Sequence, residues 1–163
     1  MKRVFIIHGW GGSPEGGWFD WLKAELRKND FAVIAPQMPN AKAPKIEEWV
    51  PFLSKLVDEP GVGDFFVGHS IGCQTIIRYL ETIYPKKVGG AVFVAGWFTL
   101  KGLEGPDEEK LAGPWVTWPI DFKKVKNTTG KFLAIFSDND PYVPTSDAEI
   151  FKEKLGAEVV IKE

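Results

Sequence analysis

Short apolar runs alternate with longer stretches in which apolar residues recur every three or four positions. Val4 to Ile7 is a run of four apolar residues, the pattern of a strand buried on both faces. Trp18, Trp21, Leu22 and Leu26 then follow at helical spacing, predicting an amphipathic helix to about Lys28. Phe31 to Ala35 reads as a second strand, stopped by Pro36 and Pro39. Ile46, Trp49, Val50, Leu53, Leu56 and Val57 mark a helix that contains Pro51. Proline is tolerated in a first turn, so that helix is expected to begin near Glu47 or Glu48. Phe65 to Val67, Val88 to Ala95, Phe132 to Phe136 and Glu158 to Ile161 read as further strands. Cys73, Ile76, Ile77, Leu80 and Tyr84 predict one helix between them. Ser146 to Leu155 predicts another, with Ser146-x-x-Glu149 as a capping box and Gly156 as its stop.

Strands that alternate with helices predict a parallel sheet with helices on both faces, an α/β three-layer sandwich. With 163 residues and no repeat or linker, residues 1–163 are expected to form one domain. Residues 97–119 break the rhythm. They hold several Gly and Pro and carry Trp97, Phe98, Trp115 and Trp118, so they predict either a small lid or an aromatic cover over a sheet edge.

The most informative motif is Gly68-His69-Ser70-Ile71-Gly72, between an apolar run and a helical pattern. A serine at the tip of a sharp strand-to-helix turn stands clear with its hydroxyl exposed, the arrangement of a nucleophile elbow. Backbone approaches such a turn on both sides, which calls for glycine at 68 and 72. Ser70 is therefore the candidate nucleophile. The N–H of Ile71 would face a developing oxyanion, and the N–H of Trp10, in His8-Gly9-Trp10-Gly11-Gly12, is the candidate second donor. That glycine-rich loop lacks the G-x-G-x-x-G spacing and the Lys-Ser/Thr of nucleotide-binding loops.

A candidate acid follows the fifth strand, in Ser137-Asp138-Asn139-Asp140-Pro141-Tyr142-Val143-Pro144. Asp140 is preferred because Pro141 biases its backbone toward an extended form and stiffens the loop, with Asp138 the alternative. The base is missing from this arithmetic. Only two histidines occur. His69 adjoins Ser70, where neighbouring side chains diverge, and His8 ends the first strand. Both read as structural residues. Cys73, on the apolar stripe of its helix, reads as a buried, inert thiol. No cofactor is required by acyl chemistry, and no metal-ligand spacing is present.

The formal net charge of −2, with acids and bases interspersed, leaves no basic face for nucleic acid. No apolar run is long enough to span a bilayer, and the chain opens directly into a strand, so a cytoplasmic protein is expected. The expected partner is a small acyl substrate.

Taken together, Val4-Phe5-Ile6-Ile7-His8-Gly9-Trp10, the Gly68–Gly72 turn, Trp118-Pro119-Ile120-Asp121-Phe122 and the Ser137–Pro144 run resemble the α/β-hydrolase superfamily. Within it, the chain resembles the small serine hydrolases of the retinoblastoma-binding-protein-nine and YdeN type. The resemblance implies an esterase-like enzyme with a minimal cap that works through an acyl-enzyme. It also implies a C-terminal loop bearing a base histidine, then a closing helix, and residues 1–163 contain neither. Without that histidine the chain is expected to be impaired, with one sheet face partly open. The alternative is a non-catalytic ligand- or protein-binding module on a hydrolase fold.

Overall fold

The computed structural model describes residues 1–163. Six strands, β1 (Lys2–Ile7), β2 (Phe31–Ile34), β3 (Asp64–His69), β4 (Gly90–Val94), β5 (Phe132–Ser137) and β6 (Glu158–Lys162), form one sheet in the order β2-β1-β3-β4-β5-β6. Every neighbouring pair is parallel. The helices that connect them are α1 (Gly17–Lys28), α2 (Ile46–Val57), α3 (Ile71–Ile83), α4 (Pro106–Thr117), α5 (Phe122–Thr128) and α6 (Asp147–Leu155).

The alternation of side chains along each strand builds two cores of unequal size. On one face, α2, α3, α5 and α6 lie side by side over Phe5, Phe66, Phe93 and Phe136, within a cluster of 30 buried residues. On the other face α1 is the sole helix. Its Phe19, Leu22 and Leu26 pack on Val4, Ile6 and Val67. Beyond α1 an open groove of about 520 Å³ runs over Phe65, Val92 and Leu133.

Four details differ from the sequence reading. First, the buried stripe of α1 is rotated: Phe19 is 8% exposed whereas Trp21 is 65% exposed. Trp18 turns toward the loop after β3, edge-on to His69. Second, α2 starts at Ile46, with Lys45 as its N-cap, so Pro51 sits in the second turn. The carbonyl left without a partner is that of Glu47, an exposed residue that water can hydrate. Third, the capping box of α6 does not form. Ser146 makes no side-chain cap, and the neighbouring Asp147 is buried instead. Fourth, the segment 97–119 contains a regular helix, α4, and the following α5 is capped by Asp121, whose Oδ1 accepts from the Lys124 amide at 3.2 Å.

Candidate active site

The loops that leave the C-terminal ends of β1, β3, β4 and β5 converge around the point where the strand order reverses, next to β1. Open α/β sheets bind ligands there. A cleft of about 780 Å³ opens between them. Ser70 and His69 line it together with Trp10, Trp18, Trp97 and Tyr142, while Leu100, Leu103 and Glu108 enter from the segment after β4.

Ser70 lies between β3 and α3 with φ 53° and ψ −120°, a backbone state that a non-glycine residue adopts only when its surroundings impose it. Those surroundings are visible. The Ser70 amide donates to the Val94 carbonyl at 2.9 Å, which ties the turn to the end of β4. The two glycines of the motif are required by space. A Cβ on Gly68 would meet the Cys73 nitrogen at 2.7 Å, and one on Gly72 would collide with the Ile7 carbonyl and meet the His8 carbonyl at 2.8 Å. Close approach of β1, β3 and α3 thus fixes the serine at a strained tip whose side chain borders the cleft.

Ile71 is the first residue of α3, so its N–H has no acceptor within the helix. The Trp10 N–H donates to no backbone carbonyl, although those of Gly11 and Gly12, which follow it, do, to Ala41 at 2.7 Å and Gly9 at 3.1 Å. Trp10 itself borders the cleft. The Trp10 side chain is anchored separately, its Nε1 donating to the Lys42 carbonyl at 3.0 Å.

Asp140 is the better held of the two candidate acids. Its Oδ1 accepts from the amides of Tyr142 at 2.8 Å and Val143 at 2.9 Å, an arrangement that aims the carboxylate and leaves Oδ2 unengaged. Asp138 is exposed and its carboxylate accepts no hydrogen bond, while its amide extends the β5–β6 pairing to the Lys162 carbonyl. Asp140 also lies near enough to His69 for its charge to favour the imidazolium.

Neither histidine hydrogen-bonds to Ser70, whose Oγ is engaged by Trp97. His8 is 1% exposed, and both ring nitrogens are engaged. Its Nε2 accepts the Met38 amide at 2.9 Å, so Nδ1 carries the proton and donates to the Gly9 carbonyl at 2.7 Å. Burial pushes its pKa below the ordinary histidine value, partly offset by the Gly9 bond. His69 stands edge-on to Trp18 and Phe19, with Nδ1 pressed against Gly9, 3.1 Å from where a Cβ would stand. Burial lowers its pKa as well, against the opposing pull of Asp140. Cys73 is fully buried. Burial drives its thiol pKa far up, so desolvation outweighs the helix N-terminus and the sulfur is inert.

Two residues of this neighbourhood escape a reading by motif. The Trp97 indole Nε1 donates to Ser70 Oγ at 3.1 Å. Asp147, 1% exposed, accepts from the amides of Phe98 at 2.6 Å and Thr99 at 2.8 Å and from Thr99 Oγ1 at 2.7 Å, which pins the segment that carries Trp97. The far end of that segment is pinned by α3. Gln74 Nε2 donates to the carbonyls of Trp97 and Trp115, and Arg78 donates to those of Trp115 and Trp118.

Residues 4–163 match the family model described as serine hydrolase. The chain belongs to that family. YdeN of Bacillus subtilis is 30% identical over 158 residues, covering 96% of this chain and 80% of YdeN. The crystal structure of the ydeN gene product superposes with a TM-score of 0.88 at 26% identity, over 100% of this chain and 86% of that one. The fold also matches Est1E of Butyrivibrio proteoclasticus in a structure with ferulic acid bound (TM-score 0.76, 14% identity, 99% and 79% covered). A monoacylglycerol lipase of Paleococcus ferrophilus matches likewise (TM-score 0.75, 18% identity, 98% and 83% covered). The chain is thus a serine hydrolase of the α/β-hydrolase fold with a small all-parallel sheet, and no helix in it is long and apolar enough to cross a membrane.

Proposed function

We propose that this protein cleaves small uncharged acyl esters through an acyl-enzyme on Ser70. The observation that carries the reading is the strained Ser70 turn, which borders an aromatic cleft beside the unpaired Trp10 amide and the first amide of α3. Ser70 Oγ attacks the acyl carbon, and its proton passes to a base. The carbonyl oxygen becomes an oxyanion held by the N–H groups of Trp10 and Ile71. The leaving alcohol takes the proton, and water then repeats the sequence on the acyl-enzyme. Asp140, fixed by two backbone amides, orients the base and stabilises its charged form. The aromatic and leucine lining, with Glu15 and Glu108 and no lysine or arginine, favours uncharged acyl groups over anionic ones. In this reading residues 97–119 act as a small lid, because Leu100, Leu103 and Glu108 border the cleft.

Neither histidine of residues 1–163 is the base in this proposal. His8 has no free ring nitrogen, and His69 makes no hydrogen bond to the serine, whose Oγ is bonded to Trp97. The 163-residue chain should therefore retain only the catalysis left when a triad member is lost, roughly 10³–10⁴-fold over water. Added imidazole supplies the missing group and tests this. With p-nitrophenyl acetate, imidazole should raise turnover above the imidazole background, and Ser70→Ala should abolish the increment. Full turnover without imidazole would assign the base to His8 or His69 and overturn this part of the proposal.

A further inference from the structure

We propose that Trp97 is a catalytic residue, a hydrogen-bond donor aimed at the oxygen of the nucleophile. The proposal rests on the reading of Ser70 as that nucleophile. An indole nitrogen can only donate, so the 3.1 Å contact has one sense: Nε1–H gives and Ser70 Oγ accepts. With one lone pair of Oγ held in this way, the hydroxyl hydrogen must point elsewhere.

Buried indoles commonly satisfy their N–H with a nearby carbonyl, and the other bonded tryptophans of this chain do so. Trp10, Trp49 and Trp115 donate to the carbonyls of Lys42, Pro39 and Pro44. Trp97, 1% exposed, donates instead to a side-chain hydroxyl at the tip of the Ser70 turn. Its delivery is also constrained backbone first. Ala95 lies at φ 49°, a left-handed state costly for a residue with a Cβ. A Cβ on Gly96 would meet the Phe151 ring at 2.6 Å and Cys73 Sγ at 3.3 Å. The Trp97 carbonyl is held by Gln74, and the next two amides by Asp147. The ring is thus fixed from both sides before any substrate arrives.

A donor in that position stabilises negative charge on Oγ. In acylation the Oγ–H bond breaks, its proton goes to the base, and an Oγ electron pair forms the bond to the acyl carbon; the bond to the alcohol oxygen then breaks and the alcohol leaves with that proton. In deacylation water gives a proton to the base as its oxygen bonds to that carbon. The Oγ–C bond then breaks, its electron pair returns to Oγ, and Oγ takes a proton from the charged base. Oγ carries negative charge in both passages, and the Trp97 hydrogen stays on nitrogen throughout. In a buried setting such a preorganised donor acts more strongly than in water.

The test uses the 163-residue chain with a fixed concentration of imidazole as the base, and a fluorophosphonate, which Ser70 attacks at phosphorus with loss of fluoride. Trp97→Phe keeps the apolar bulk and removes the N–H. It should lower the maximal labelling rate roughly 10-fold, in line with a hydrogen bond to a charged group. The half-saturating probe concentration should not change. A second measurement does not depend on the variant folding. In ¹⁵N-labelled protein, Ser70→Ala should shift one indole N–H cross-peak, and phosphonylation of the wild type should shift the same one. An unchanged labelling rate in folded Trp97→Phe, or indole cross-peaks indifferent to both changes at Ser70, would overturn the role of Trp97 alone. Absence of wild-type labelling at Ser70 with imidazole present would overturn the nucleophile itself, and this role with it.

Discussion

Asp147 offers the sharpest stability prediction, because three donors converge on one buried carboxylate. Consider Asp147→Ala. The Phe98 amide belongs to a buried residue, so losing its acceptor leaves an unpaired donor at a cost of about 1–3 kcal/mol. Thr99 is exposed, so its amide and hydroxyl regain water, and each loses only the net value of an intramolecular bond, about 0.5–1.5 kcal/mol. The central expectation is about 4 kcal/mol, a large share of the 5–15 kcal/mol typical of a folded domain. At this chain length that corresponds to a melting temperature lower by about 8–16 °C. Asp147→Asn keeps an acceptor oxygen but not the charge and should fall in between. Urea melts followed by tryptophan fluorescence, extrapolated linearly, give the comparison. The loss should be accompanied by slower labelling of Ser70, since the freed segment carries Trp97. A loss below about 1 kcal/mol for the alanine variant would refute the reasoning, because it would mean that the Phe98 amide finds another partner at once.

Two further outcomes follow from buried groups elsewhere. Tyr79 is 1% exposed and its hydroxyl has no hydrogen-bond partner, while its ring packs on Phe66 at 5.6 Å. Tyr79→Phe should therefore raise stability by about 1 kcal/mol, and a loss of similar size in denaturant melts would contradict this. Stability should also fall on mild acidification. His8 and His69 both have pKa values depressed in the folded state, chiefly by burial, so the unfolded chain binds their protons first. Their contribution is fully present above about pH 6.5 and is lost as pH drops below it toward the folded values. Melts at neutral and mildly acidic pH, above the range where carboxylates titrate, should show the decline, and a flat profile would count against it.

The order of strands and helices was legible because each strand is a short apolar run and most connecting helices carry several apolar residues at period 3.6. The strand ends then place the serine, the glycine-rich loop and the Asp140 loop at one edge of the sheet. The rest is not written in periodicity. Helix α4 buries only Ala112 and Trp115 and contains Pro114, and α5 spans only seven residues, too short to show a stripe. Trp18 and Trp21 share an apolar pattern with Leu22, yet the helix is rotated so that Phe19 takes the core, a choice made by the sheet beneath it. Ser146 and Glu149 have the spacing of a capping box, but the three donors near Asp147 claimed the adjacent carboxylate. The Trp97–Ser70 bond joins residues 27 apart in sequence and depends on the turn at Ala95 and Gly96, so no local motif announces it.

The central claim is that Ser70 takes up the acyl group. Rapid acid quench of the protein with p-nitrophenyl butyrate, followed by peptide mass spectrometry, tests it directly. The expected result is one added butyryl group on the peptide that contains Ser70, absent from Ser70→Ala. An adduct on another residue, or an equal adduct in Ser70→Ala, would contradict the account.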